Sequence, residues 1–302
     1  MKQERWLQFL KSAGAIALAA LVSVAAAGTG AAADAGPKAW WQVTGPSLQP
    51  AAAIGAPAKG CLAGGQALPL SGAGYEVMRP SRRRTFGHPQ LIAFITALAA
   101  AAPAEGWPGL LVGDLAQARG GPTPSGHRSH QSGLDVDIWL QPVPEAGITA
   151  DERETLAAAS VVTADGARVD ARRWTVAHQR LIRTAAGFAE VDRIFVNPAI
   201  KRALCDDSDD ANEGSQRTWL RKVRPWWGHD AHMHIRLACP DDADACEAQA
   251  PIPPGDGCGA DLAWWFSAEA AEEATKKAKA PPARALTLDD LPPACRTVLL
   301  NK

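Results

Sequence analysis

Beyond residue 33 this 302-residue sequence has no apolar run near the ~20 residues that a membrane-spanning helix requires. It lacks a charge excess of either sign: the formal charge is −1. Lys2, Arg5 and Lys11 against Glu4 give the first residues about +2, so the remainder sits near −3, with none of the basic field that nucleic-acid binding needs. No cysteine pair has the C-x-x-C spacing of a zinc knuckle or redox motif. There is no H-E-x-x-H, which excludes the zincin arrangement, and no H-x-H-x-D-H order of a metallo-β-lactamase fold. The absence of G-x-S-x-G, of Ser-x-x-Lys after the leader and of a phosphate-cradling glycine loop removes the common serine and nucleotide chemistries. There are no internal repeats. Tyrosine is nearly absent, one against eleven tryptophans. Tryptophans can form a carbohydrate-stacking surface, but core and loop packing is the favoured reading, because aromatic side chains dominate core energetics.

What is present begins with a leader. Basic residues precede a nearly apolar stretch, Ala13 to Ala27, of about 15 residues, and Ala31-Ala32-Ala33 before Asp34 satisfies an A-x-A cleavage rule. Residues 1–33 therefore read as a secretory signal peptide, with no cysteine placed for a lipid anchor. Removing them leaves 269 of the 302 residues, enough for one large domain or two small ones with a real core. Six cysteines, Cys61, Cys205, Cys239, Cys246, Cys258 and Cys295, fit export and three disulfides. Cys239 and Cys246 bracket a short polar loop and form a plausible local pair; the sequence leaves the other two bonds open.

Residues 34–75, rich in Ala, Gly and Pro, read as an irregular surface arm pinned by Cys61. A short strand over 75–80, a helix from Pro89 to Ala101 and a buried strand from Gly109 to Leu115 follow. From Leu134 to Leu140 alternation is strict, with Leu134, Val136 and Ile138 on one face and Asp135, Asp137 and Trp139 on the other. Helices are expected over 150–158 with Thr149 as N-cap, over 174–189, from Pro198 to about Cys205 and over 213–223, with strands at 193–197 and 231–238. The Ala/Glu/Lys/Pro-rich stretch from Ala268 to Arg284 is a linker or exposed helix, and Cys295 ties down the last residues. Interspersed strands and helices give a single α+β domain, 34–267, with a central antiparallel sheet and a low-complexity tail, 268–302. Arg82-Arg83-Arg84 reads first as a solvated basic face, second as a contact for an anionic polymer or a substrate carboxylate.

Five of the seven histidines fall in two short stretches: His127 and His130 just before the Asp135–Asp137 strand, and His229, His232 and His234 about ninety residues on. Residues two apart on a strand share a face, so His232 and His234 point together, and on a neighbouring strand Asp137 can meet them. His130, before the Gly133 turn, can fold over the same point. The result is an N/N/O set of three ligands with one position left for water, as in a catalytic zinc site, and a spare imidazole for acid/base work. Asp135 reads as a hydrogen-bonding neighbour rather than a ligand. His88 and His178 lie outside the cluster, and Asp230 has no assigned role.

The spacing H-x(6)-D from His130 to Asp137, followed by the H-x-H of His232 to His234, resembles the zinc peptidases grouped with lysostaphin, D-Ala-D-Ala carboxypeptidases and the hedgehog signalling domain. Within that group the chain is most similar to the penicillin-insensitive murein endopeptidases. The similarity runs through Arg83-Arg84, Phe86-Gly87-His88-Pro89, Ser129-His130-Gln131, Gly133 to Ile138, Arg193 to Lys201, Trp219 to Trp226, Ala231 to His234 and Gly255 to Ala260. The resemblance implies zinc held by His130, Asp137 and His234, with His232 as the catalytic imidazole, His229 supporting it and His127 at the rim. It further implies cleavage of D-alanyl–diaminopimelyl cross-links in the peptidoglycan of a Gram-negative periplasm, insensitivity to β-lactams, a homodimer, and disulfides Cys61–Cys295, Cys205–Cys258 and Cys239–Cys246. A second metal position in that group uses the counterpart of His127 with an aspartate and a histidine from a later loop. Here Asp165 is present but Arg168 stands at the histidine's place, which counts against a second metal. Two other functions remain open: a non-catalytic wall-binding module with a structural zinc, and a D,D-carboxypeptidase.

Overall fold

The computed structural model describes residues 35–124, 128–207 and 217–301. The leader at 1–33 and His127 lie outside these residues. Helix α1 (Pro37–Gln42) leads into strands β1 (Ala52–Ala56), β2 (Lys59–Ala63), β3 (Gln66–Ala67), β4 (Ser71–Gly72), β5 (Tyr75–Val77) and β6 (Phe86–Gly87). Helix α2 (Pro89–Ala101) and strands β7 (Leu110–Val112) and β8 (Asp135–Trp139) follow, then α3 (Ala150–Thr155) and α4 (Val176–Gly187). The second half contains β9 (Val191–Val196), α5 (Pro198–Asp207), β10 (Val223–Pro225), β11 (His232–Leu237), α6 (Ala260–Trp264), α7 (Ala268–Lys279) and α8 (Ala294–Leu300).

The fold is α+β in one domain, and its centre is a seven-stranded sheet in the order β10-β9-β11-β8-β7-β5-β4. The expected antiparallel sheet is in fact mixed. Strand β9 runs parallel to β10 and β5 parallel to β7, while the pairs around β11 and β8 are antiparallel. The reason is connectivity: α5 joins β9 to β10 and α2 joins β5 to β7, and a helical crossover returns the chain in the same direction. Leu134, Val136 and Ile138 face the main core with Leu91, Ile95, Leu110 and Ile235. Strand β8 differs from a half-solvated strand in one respect. Asp135 and Asp137 on its other face are buried too, because the two histidine-bearing loops close over them.

The arm is more ordered than its composition suggests. Strands β1 and β2 form an antiparallel hairpin from Ala52↔Ala63 to Ala56↔Lys59. Alanine and glycine carry little strand propensity, so this hairpin depends on tertiary packing. It shares a second core with Trp40 of α1 and with Leu288, Leu291, Val298 and Leu299 near the C-terminus, around the Cys61–Cys295 disulfide. The Arg119 guanidinium donates to the carbonyls of Val298, Leu299 and Asn301, capping the end of α8, whose last carbonyls have no partner within the helix. The other disulfides are Cys205–Cys258 and Cys239–Cys246.

Several helices match their sequence signals. Thr149 caps α3 in a reciprocal box with Glu152. Of the helix expected over 213–223, residues 213–216 lie outside the described residues; the rest holds a 3₁₀ turn, Thr218–Lys222, before Val223 joins β10. The tryptophans divide between roles. Trp40 and Trp107 are core residues, whereas Trp226, Trp227, Trp264 and Trp265 pack on one another with ring centroids 4.7–6.2 Å apart. Among the described residues no helix is long and apolar enough to cross a membrane.

Candidate metal centre

The register of β8 and β11 builds the site. His234 lies opposite Asp137, Arg236 opposite Asp135 and His232 opposite Trp139. Because both strands alternate, Asp135, Asp137, His232, His234 and Arg236 share one face of the sheet. On the other side of β11, Phe195 of β9 lies opposite His234, with ring centroids 5.5 Å apart. Phe195 forms an apolar wall.

His130 reaches the same point from the loop before β8. Its backbone is left-handed (φ 66°), a region that non-glycine residues enter rarely. Three contacts hold it there. Its N–H donates to Asp135 Oδ2 at 2.9 Å, its Nδ1 faces the Asp135 carbonyl at 3.3 Å, and Gln131 beside it is tied to the β1–β2 turn through Pro57, Ala58 and Gly60. Gly133, which turns the chain into β8, has φ 78°, and a Cβ there would approach Leu62 of β2 at 2.8 Å. The expected surface arm therefore supports the histidine loop from below.

With Nδ1 facing a carbonyl, His130 presents Nε2, which lies 3.4 Å from Asp137 Oδ1. His234 Nδ1 lies 3.0 Å from the same oxygen. Among the described residues His130, Asp137 and His234 are all buried, and their ligand atoms lie within 4.8 Å of one another, so they can hold a metal ion. Asp165 is outside this group. It sits in an exposed turn where its Oδ1 accepts from Thr163 Oγ1 and the Ala167 N–H.

Asp135 supports this group without joining it. Arg236 binds it through two nitrogens, at 2.6 and 3.0 Å, and His234 Nε2 lies 3.4 Å from its Oδ1. Burial alone would raise both aspartates' pKa values. The neighbouring Arg236 and His234 overcome that for Asp135, and the imidazoles around Asp137 do so there, holding both carboxyls below the usual range. Burial likewise opposes the His234 charge, but Asp135 and Asp137 outweigh it and raise His234 to about 9. Two anions facing several imidazoles form a site that attracts a cation. In the sequence Arg236 shares a face with His234 two residues away, but only the register brings it opposite Asp135.

His232 and His229 stand beside the group. His232 Nε2 is 3.8 Å from Asp137 Oδ1 and its side chain is partly exposed. The His229 ring is 5.0 Å from that of His232, and its Nδ1 faces the Trp227 carbonyl at 3.0 Å. Burial, reinforced by His232 and His234, pushes His229 down to about 4, so it stays neutral at ordinary pH. Its backbone is also left-handed (φ 53°), and Asn197 holds the loop by bonding the carbonyls of Gly228 and His229. His88 and His178 serve helix N-termini instead: His88 Nδ1 accepts from the Gln90 N–H, and His178 closes a box with Thr175.

The centre is thus a buried His/Asp/His group with two further imidazoles at its edge. The family model for penicillin-insensitive murein endopeptidases matches residues 53–300. The chain belongs to this family. Curated relatives of that name include one from Yersinia enterocolitica, 47% identical over 262 residues, covering 87% of this chain and 90% of the relative. One from Klebsiella pneumoniae is 46% identical over 86% of this chain and 90% of its own length. Another, from Yersinia pestis, is 43% identical over 95% and 96% of the two chains. The matched span of this penicillin-insensitive murein endopeptidase family includes both strands of the candidate centre and the arm hairpin from Ala53 onward.

Proposed function

We propose that this chain is a zinc metallo-endopeptidase that hydrolyses D-alanyl–meso-diaminopimelyl cross-links in peptidoglycan. The observation that carries the reading is the convergence of His130 Nε2, Asp137 Oδ1 and His234 Nδ1 in a chain of the murein endopeptidase family. The donor set fits zinc. Tetrahedral zinc with bonds of about 2.0–2.1 Å separates its ligand atoms by about 3.3 Å, against 3.4 and 3.0 Å here. Three protein donors leave one position open, as catalytic zinc requires. When bound, zinc would lower the pKa of a water to about 7 and polarise a peptide carbonyl.

The chain's own residues supply the rest. Asp135 orients His130 and His234 and fixes which nitrogen each presents. His232, partly exposed at the edge of the group, accepts the proton of the attacking water or donates to the oxygen that gains charge. Neutral His229 packs behind His232 and sets its orientation. Phe195 keeps one side dry. Residues 1–33 act as the export signal, and three disulfides suit an oxidising compartment such as the periplasm.

Two variants separate the roles. His234→Ala is expected to lose both zinc and cross-link cleavage. His232→Ala is expected to keep zinc and lose about 10²- to 10⁴-fold in turnover. Chromatography of the products distinguishes an endopeptidase, which turns cross-linked dimers into monomers, from a carboxypeptidase, which releases only terminal D-alanine. A His232→Ala protein with undiminished turnover is incompatible with this assignment.

A further inference from the structure

Asp137 and His232 of the candidate centre line a narrow cleft of about 130 Å³ together with Arg79 and Arg82. Trp139 and Gly113 also line it; a Cβ at Gly113 would lie 3.2 Å from that of Asp137, so glycine keeps this part open. Arg82 is partly neutralised by Asp114 at 3.2 Å, a carboxylate it shares with Arg84 at 2.7 Å, and its side chain is 40% exposed.

Several other arginines of the chain have a carboxylate partner. Arg153 pairs with Glu76, Arg217 with Asp256 and Arg236 with Asp135. Among the described residues Arg79 has no carboxylate within 4.0 Å. Its Nη2 reaches only the Leu156 carbonyl at 3.4 Å, its Cζ lies 5.7 Å from the Trp139 ring centre, and its buried Nε has no hydrogen-bond partner. The nearby carboxylate of Glu154 is engaged by Ser81, whose N–H and Oγ donate to its two oxygens at 2.9 and 2.7 Å.

The geometry is also held under strain. Arg79 and Arg83, which flank the turn Pro80–Arg82, both have left-handed backbones, with φ 55° and 56°. Ser81–Glu154 and the bond from the Arg79 N–H to the Arg153 carbonyl lock the turn onto α3. Glu154 gives Arg79 a counter-charge without a direct ion pair, and the buried Nε still lacks an acceptor, a cost that a ligand oxygen would offset. Backbone strain of this kind persists where the surroundings enforce it, often at ligand clamps.

We infer that Arg79, assisted by Arg82, binds a carboxylate of the substrate and thereby sets the specificity of the site. The inference rests on the peptidase reading above. In the cross-link that reading assigns, the carbon bearing the scissile nitrogen also carries a free carboxylate. An arginine fork lining the same cleft as Asp137 and His232 matches that group and orients the amide toward them. Arg79 is a specificity-determining residue and takes no part in proton transfer.

The test uses the zinc-loaded full chain with a defined cross-linked muropeptide dimer, as the free acid and with that one carboxylate converted to an amide. Amidation is expected to lower wild-type kcat/KM about 10- to 100-fold, mainly through KM, as for loss of a charge-assisted hydrogen bond. Arg79→Gln should show the same loss on the free acid and no discrimination between the two dimers. Arg79→Lys, which keeps the charge without the fork, should retain part of it, and its unfolding temperature controls for folding. Calorimetry with the amine-side cleavage product, acid and amide, reads recognition without turnover. If neither dimer is cut but the wild type still prefers the acid product and Arg79→Gln does not, the peptidase reading fails and the carboxylate site stands. Equal treatment of acid and amide by the wild type, or undiminished discrimination by Arg79→Gln, overturns the inference.

Discussion

Asp135 shows how much a residue outside the ligand set decides. It receives two bonds from Arg236 and one from the His130 N–H, and its Oδ1 faces His234 Nε2. It therefore fixes the orientation of two of the three candidate ligands. Asp135→Asn keeps the shape but removes the charge and leaves Arg236 buried beside a neutral amide. The expected outcome is a 10- to 100-fold loss of zinc affinity, the range seen when groups behind metal ligands are changed, measured by competition with a chromogenic chelator. Unchanged affinity would remove Asp135 from the account. At this scale much was legible. Period-two alternation places Asp137 on the polar face of β8 and His232 beside His234 on β11, and it marks Asp135 as a neighbour. Phe195 was not legible as part of the site, and Arg236 only as a residue on the face of His234, because their places depend on which strands pair and in what register. Arg79 was missed for a different reason: a positive backbone φ and the lack of a direct ion pair leave no mark in a sequence.

Among the elements, α5 carries a buried amine away from the candidate centre. Lys201 is buried, and its Nζ donates to the carbonyls of Leu220 and Asp256. Burial pushes its ammonium down to about 7, with Asp256 opposing and Arg224 and Arg217 adding to the shift. The sign follows from proton counting. Between pH 7 and about 10.4 the unfolded chain keeps this proton and the folded chain does not, so this group's contribution to stability rises with pH across that window. The slope is at most about 1.4 kcal/mol per pH unit. Lys201→Met should remove it, so denaturant unfolding at pH 7, 8 and 9 should show the wild type gaining on the variant. A constant difference across that range would contradict the assignment. The elements read best from sequence were those with local punctuation, such as Pro89 opening α2 and the Thr149–Glu152 box of α3. The β1–β2 hairpin escaped detection because its alanines and glycines carry no strand signal, and contacts distant in sequence, with Trp40, Gln131 and the C-terminal residues, hold it.

Over the whole molecule, the two ends of the chain form one buttress. The disulfide Cys61–Cys295 joins residues 234 apart, and the cluster around it contains Trp40, Ile54, Val298 and Leu299. This second core lies under the β1–β2 turn, which holds Gln131 next to His130. Replacing both cysteines by serine is expected to lower stability by about 2–5 kcal/mol, read by denaturant unfolding. It should also weaken zinc binding, since the support of the His130 loop loosens. Normal zinc affinity in a clearly destabilised variant would show that arm and site are uncoupled. The mixed order of the sheet belongs to this scale as well. Alternating elements indicate an α+β domain, but not that α2 and α5 cross over between neighbouring strands.

The central claim is that His130, Asp137 and His234 hold a zinc ion on which cross-link cleavage depends. The most direct measurement is incubation of the purified protein, without residues 1–33, with defined cross-linked muropeptide dimers, before and after removal of metal by a chelator, and after zinc is restored. The expected result is conversion of dimers to monomers, loss of that conversion on chelation and recovery with about one zinc per chain, in keeping with the one three-ligand group among the described residues. Full cleavage by the metal-free protein, or no cleavage by the zinc-loaded one, would contradict it.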